Sequence, residues 1–174
     1  MFKKMFTRFS KVVAAGLVLS FMFLVPGAEA SHWGLSGGLQ THDPTIVRES
    51  GNTWWSASTG TGIGMKYSTN GGKTWTDGLP IFSQPLSWWK KYAPNMTTND
   101  VWAPDLEYYR GRYYCYYSVS EFGKNNSAIG LVSCSSISKG DWRDDGVVLY
   151  SRYGSSKFNA IDPNLVVDAK GKPW

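Results

Sequence analysis

A chain of 174 residues with 18 basic and 13 acidic side chains carries a formal net charge of +5. Four of the basic residues, but only Glu29 among the acids, lie in the first thirty; residues 31–174 hold 14 basic against 12 acidic groups, too even a balance for a nucleic-acid-binding protein. All nine Trp and all ten Tyr fall after residue 30 without long helical periodicity, which excludes a helical bundle and leaves strands and turns as the expected content.

Residues 1–30 read as a signal peptide. Lys3, Lys4, Arg8 and Lys11 precede an almost wholly apolar run from Val12 to Val25, and Ala28-Glu29-Ala30 supplies the small-x-small cleavage pattern. The run is short for a bilayer span and polar sequence follows it, so a secreted protein with no membrane attachment after cleavage is expected. Residues 31–174 are then one modest domain.

Three strand-turn-strand units follow in order: "DPTIVRESGNTWWSAST", "APDLEYYRGRYYCYYSVS" and "DPNLVVDAKGKPW". Their turn glycines are Gly51, Gly111 and Gly171, spaced 60 and 60. Each opens on β-branched, aromatic or apolar residues (Thr45 to Val47, Leu106 to Tyr109, Leu165 to Val167) and crosses a glycine turn into a second strand. A third strand is expected near Gly64 to Ser68 and Ala128 to Ser133, and a fourth near Pro80 to Phe82 and Gly146 to Tyr150. Fixed-period β units point to a propeller. The third unit breaks off at Trp174, so the chain reads as the N-terminal part of a larger protein holding about two and a half blades, where closure needs at least about four.

Asp43-Pro44 and Asp162-Pro163 each place an acid before a proline at a strand start. Proline disfavours helix in the residue before it and cannot donate to a ladder, so the pair suits a first strand position. Where the inner strand of a blade begins at the axial mouth, such an aspartate faces a shared cavity, and Asp43, Asp105 and Asp162 are the candidates for that ring. Carboxylates beside Trp88, Trp89 and Trp102 in loops fit a glycosidase: one carboxylate activates water, another protonates the leaving oxygen, and aromatic faces stack on sugar.

Other patterns carry less. "STNGGKTW" (68–75) resembles the Asp-box turn of sialidases with Asn70 in place of the acid, and supports a β-turn. "PLSWWKKYAPN" (85–95) is either a groove wall for a neutral polysaccharide or a loop whose Trp pair packs on the blade edge. Cys115 and Cys134 flank "SEFGKNNS", and a symmetric hairpin sets them opposite each other. Secretion permits a disulfide there, while cross-strand strain favours two packed thiols. Two His without an HExxH or paired-Cys pattern exclude zinc.

"THDPTIV", "WAPDLEYYRGRYYCYYSVSEFGKNNSAIGL" and "FNAIDPNLVVD" together resemble the motifs of family 43 glycoside hydrolases, nearest to the endo-1,5-α-L-arabinanases, over residues 38–174. The resemblance implies an all-β, five-bladed propeller that cleaves internal α-1,5-arabinofuranosidic bonds of arabinan with inversion. Asp43 matches the general base, with His42 placed to support it, and Asp162 matches the aspartate that raises the acid's pKa. Gly123 and Asn159-Ala160-Ile161-Asp162 fall where the family contacts substrate, and Trp102 and Asp105 match a cleft-lining strand start. The family's acid is a glutamate in a later blade; Glu107 and Glu121 do not sit in its motif, so the chain alone is expected to be inactive. No cofactor is implied within these residues, although a calcium site in the full-length propeller is, and a monomer acting on polysaccharide is the expected state. The alternatives are a xylosidase or arabinofuranosidase of the same fold, or a non-catalytic carbohydrate-binding propeller.

Overall fold

The computed structural model describes residues 34–174, and the leader expected over residues 1–30 lies outside them. In chain order the elements are β1 (Ser36–Gly37), β2 (Thr45–Ser50), β3 (Thr53–Ser58), β4 (Gly60–Thr61), β5 (Gly64–Ser68) and β6 (Thr74–Asp77). A one-turn helix α1 (Trp89–Tyr92) follows, then β7 (Asp100–Tyr109), β8 (Arg112–Ser120), β9 (Ser127–Cys134) and β10 (Arg143–Ser151). They form two sheets, ordered β1-β6-β5-β3-β2 and β10-β9-β8-β7-β4. Set aside the two-residue β1 and β4, and each sheet is a four-stranded antiparallel meander whose first strand lies at one edge. β4 leaves the first blade to pair with the start of β7, Gly60 opposite Val101, and so ties the two blades at that end.

The third unit begins a further blade. Val166 and Trp174 exchange backbone hydrogen bonds of 3.1 and 2.8 Å, and Val167 bridges to Pro173. The three equivalent turns carry Gly51, Gly111 and Gly171 at φ of +48°, +87° and +74°. An L side chain would be strained there, which accounts for glycine at the 60-residue spacing.

Alternation places the core. Along β8, Tyr113, Cys115, Tyr117 and Val119 are buried, while Arg112, Tyr114 and Tyr116 on the other face are half-buried. The buried set meets Ala57 and Met65 of the first blade, Leu106 of β7, and Val132 and Cys134 of β9. Tyr117 is the centre of an aromatic cluster, with Phe82 and Trp89 rings 5.1 and 6.0 Å from its own. Gly130 on β9 leaves room for that ring: a Cβ there would fall 2.5 Å from Tyr117 Cζ.

One expectation changes, and two alternatives left open by the sequence are resolved. The fourth strand of the first blade is Thr74–Asp77, not Pro80 to Phe82. The "STNGGKTW" turn is a tight hairpin stapled by Asn70, whose Oδ1 accepts the Thr74 N–H at 2.9 Å, so the chain reverses sooner than its apolar pattern indicates. Pro80 to Phe82 instead lies against the β4–β5 connection, with Phe82 N–H donating to Gly62 O. The Trp pair packs inward rather than forming a groove wall. Trp89 is fully buried with Nε1 donating to Tyr117 Oη, and Trp88 packs on the core with Nε1 donating to Asp144. Finally, Cys115 faces Val132 and Cys134 faces Tyr113, a two-residue offset that leaves both as buried free thiols. Burial pushes the Cys134 thiol up to about 12 and Cys115 higher still.

Candidate active site

Pro44, Pro104 and Pro163 mark equivalent points of the repeat, before β2, at the register shift within β7 and ahead of the third hairpin, and the residue before each adopts the left-handed region: Asp43 at φ +48°, Ala103 at +33° and Asp162 at +56°. Residues before proline ordinarily stay extended, so all three are strained. Ala103 holds this conformation with only a methyl group. The turn is therefore a property of the repeat, and the carboxylates of Asp43 and Asp162 ride on it.

Two hydrogen bonds recur between successive blades. The N–H of the pre-proline residue donates to a hydroxyl at the end of the second strand of the preceding blade, just past β3 or near the end of β8: Ala103 to Thr59 Oγ1 at 2.7 Å, and Asp162 to Ser118 Oγ at 3.0 Å. One turn further in, the side chain after each proline accepts from the next blade: Thr45 Oγ1 from Leu106 N–H at 3.2 Å, and Asp105 Oδ2 from Leu165 N–H at 2.6 Å. Asp105 is thus the counterpart of Thr45 and Asn164 rather than of Asp43 and Asp162. It is buried, and its carboxylate is engaged with the third unit.

Trp102 and Ala103 lie between the two strained aspartates in this network. Thr59 bonds to both Asp43 and Ala103, while Ser118, the cross-strand partner of Trp102, holds Asp162. The Asp43 side chain is 45% exposed; its Oδ2 accepts from Thr59 Oγ1 at 2.9 Å and lies 3.2 Å from His42 Nε2.

Trp102, Gly123 and Asn159 line one cleft of about 360 Å³, together with Phe122, Lys124 and Tyr153. Phe122 is 95% exposed at the tip of the β8–β9 loop, next to Gly123 at φ +76°. The stretch leading to Asp162 is pinned from beneath. Asn159 Oδ1 accepts from Ser127 Oγ at 2.6 Å, buried Ala160 donates to Ser151 Oγ at 3.0 Å, and the Ile161 N–H returns to Asn159 O. Serines on β9 and β10 thus hold the Asn159–Asp162 backbone in place.

Glu121 and Glu107 have different surroundings. Glu121 is buried; burial pushes its carboxyl up, but donors from Asn95 and Asn126 outweigh that and hold it below its ordinary value. It is an ionised anchor for the 93–99 loop. Burial, and then the nearby Asp105 carboxylate, pushes Glu107 up. Among the described residues no group of three or more His, Cys, Asp or Glu could hold a metal ion, so the axial calcium that the resemblance implies has no ligand set there. Thr59 and Ser118 were not legible in the sequence as site residues. Nothing distinguishes them from other strand hydroxyls until the register places them under the strained turns.

Two meanders and a third opening hairpin, each entered through a strained X-Pro turn, define part of a five-bladed β-propeller. The family model for glycosyl hydrolases family 43 matches residues 38–174, and the chain belongs to that family. The extracellular endo-α-(1→5)-L-arabinanase 1 of Bacillus subtilis (strain 168) is 47% identical over 180 residues, covering 99% of this chain and 53% of that protein. A family 43 endo-arabinanase from Bacillus licheniformis superposes with a TM-score of 0.77 at 51% identity, over 82% of this chain and 49% of that one. A Cellvibrio cellulosa α-L-arabinanase complexed with arabinohexaose superposes at 0.72 with 36% identity, over 78% and 44% of the two chains. The chain spans about half the length of the first two relatives.

Proposed function

We propose that these residues form the base side of the catalytic centre of a secreted endo-1,5-α-L-arabinanase, with the leader in residues 1–30. Asp43 is the general base: it takes a proton from a water that attacks the anomeric carbon on one face of the arabinofuranose ring. The glycosidic C–O bond breaks as a glutamic acid on the opposite face protonates the leaving oxygen, and the configuration inverts. Inverting pairs stand roughly 6.5–9.5 Å apart to admit the water. Asp162 keeps that acid protonated, since a like charge nearby disfavours ionisation. Neither Glu107 nor Glu121 is assigned the acid's part, which belongs to a glutamate outside the described residues. Trp102, Gly123 and Asn159 through Ile161 bind the sugar chain, while Asp105 acts from beneath as the clasp under that strand start. The protein works as a monomer on arabinan, and a calcium ion, where one is bound, is held by other residues than these.

The observation that carries this reading is the pairing of Asp43 and Asp162 on the same strained turn, with Ala103 in the intervening repeat. The relatives' names, two endo-arabinanases and an arabinanase complexed with arabinohexaose, supply the substrate class. The test is hydrolysis of linear arabinan by the full-length protein. Release of short oligomers with inverted anomeric configuration, reduced by at least about a thousandfold in Asp43→Asn, is the expected outcome. Release of arabinose alone would favour the exo-acting arabinofuranosidase, cleavage of xylan oligomers the xylosidase, and binding without hydrolysis the non-catalytic propeller.

A further inference from the structure

The hydroxyl of Thr59 sits where the two repeats of the site meet. It accepts the Ala103 N–H at 2.7 Å and lies 2.9 Å from Asp43 Oδ2. A threonine hydroxyl has one proton to give, and the Ala103 N–H already occupies one of its lone pairs, so that proton is directed to Asp43. The equivalent hydroxyl in the next blade, Ser118, accepts the Asp162 N–H but faces Ala103 where a carboxylate would be. The shared part of the pattern is the backbone bond; the carboxylate contact belongs to Thr59 alone.

We propose that Thr59 is a positioning residue for the general base. It fixes Asp43 Oδ2, and leaves Oδ1 as the atom that takes the proton from water. Oδ2 already receives Thr59 and has His42 Nε2 at 3.2 Å, whereas among the described residues Oδ1 has no hydrogen-bond partner. A carboxylate on a half-exposed turn would otherwise sample several rotamers, and a misdirected lone pair is costly because general-base catalysis needs the water within hydrogen-bond reach. Thr59 also joins the base to the strand start carrying Trp102. A shift of the second blade is thereby transmitted to Asp43 through one side chain. The inference rests on Asp43 being the base, and its test separates the two claims.

The Asp43 carboxyl carbon is followed by NMR in protein labelled with 13C-aspartate, its resonance assigned by loss in Asp43→Asn. Thr59→Val, which keeps the shape and removes the donor, should displace that resonance. Thr59→Ser should leave it in place, and Ser118→Ala should displace the Asp162 amide while sparing the Asp43 carboxyl. With linear arabinan, the full-length Thr59→Val protein should lose about tenfold to a hundredfold in kcat with KM within about twofold, and Thr59→Ser should restore the rate. Thr59→Cys, a weaker donor of similar size, should give an intermediate displacement and replaces the valine variant if that does not fold. An undisplaced Asp43 resonance in Thr59→Val, or a serine variant that behaves like valine, overturns the positioning role whatever the activity. A displaced resonance in a protein whose Asp43→Asn variant still hydrolyses arabinan would keep the hydroxyl contact and remove Asp43 as base.

Discussion

Asp105→Ala should destabilise the protein, and Asp105→Thr should not. Asp105 is 7% exposed, and its Oδ2 accepts the Leu165 N–H at 2.6 Å, holding the third unit to the second blade. Alanine removes the acceptor and leaves that N–H facing an apolar gap. A hydrogen bond to a charged group contributes about 1.5–3 kcal/mol net, so a loss of about 2 kcal/mol is expected. For a domain of this size that corresponds to a drop in Tm of roughly 6 °C. The first blade already contains the control: Thr45 occupies the same register position, and its hydroxyl accepts the Leu106 N–H at 3.2 Å. Asp105→Thr should therefore retain most of the stability, and should also let Glu107 titrate lower than in the wild type, because the Asp105 charge adds to the burial that pushes it up. Calorimetry and urea unfolding of the two variants decide the point, with Glu107 followed by NMR. An alanine variant within about 0.5 kcal/mol of wild type, or a threonine variant as unstable as alanine, would refute the clasp.

Glu49 makes the first blade sensitive to acid. Burial pushes its carboxyl up, but hydrogen bonds from Ser138, Ser136 and Trp55 outweigh that and hold it below its ordinary 4.5. A depressed folded value means this stabilisation is fully present above the unfolded value and disappears as pH falls through the folded one. Acid unfolding below about pH 4.5 should be less steep in Glu49→Gln than in the wild type, and parallel curves would count against the assignment. Gly130→Ala should cost about 1–3 kcal/mol in urea unfolding by overpacking, because the new methyl would lie 2.5 Å from Tyr117 Cζ and 2.8 Å from Trp88 Cη2; a neutral effect would mean the aromatic cluster is loosely held.

The repeat was legible because its markers are backbone requirements: glycine at three left-handed turns, and proline at the equivalent point of each repeat. What misled was treating aspartate rather than proline as the marker. Counted from Pro44, Pro104 and Pro163, the equivalents of Asp43 and Asp162 include Ala103, and Asp105 moves to the buried position behind it. The strand Thr74–Asp77, flanked on its outer side only by the two-residue β1, was missed because it has little to bury. Its pattern is polar, with only Trp75 half-buried, and Lys66 paired with Asp77 takes the place of apolar contact. Trp88 and Trp89 looked like surface aromatics beside two lysines, yet one helical turn sends Trp89 to the core and Lys90 to solvent. The hairpin is symmetric about "SEFGKNNS", closing on Ser120 and Ser127, but Cys115 lies five residues before that pair and Cys134 seven after it, so the cysteines sit diagonally.

The four inter-blade hydrogen bonds at the proline turns have a direction. In all four, the acceptor belongs to the earlier blade and the donor N–H to the later: Thr59 to Ala103, Thr45 to Leu106, Ser118 to Asp162, Asp105 to Leu165. During synthesis from the N-terminus, a finished sheet therefore already displays the oxygens that will receive the next segment as it leaves the ribosome. Each segment can dock as soon as its proline has emerged, without waiting for its own outer strands. Assembly by accretion of this kind keeps the growing edge occupied, which limits the time an unpaired strand is open to a neighbouring nascent chain.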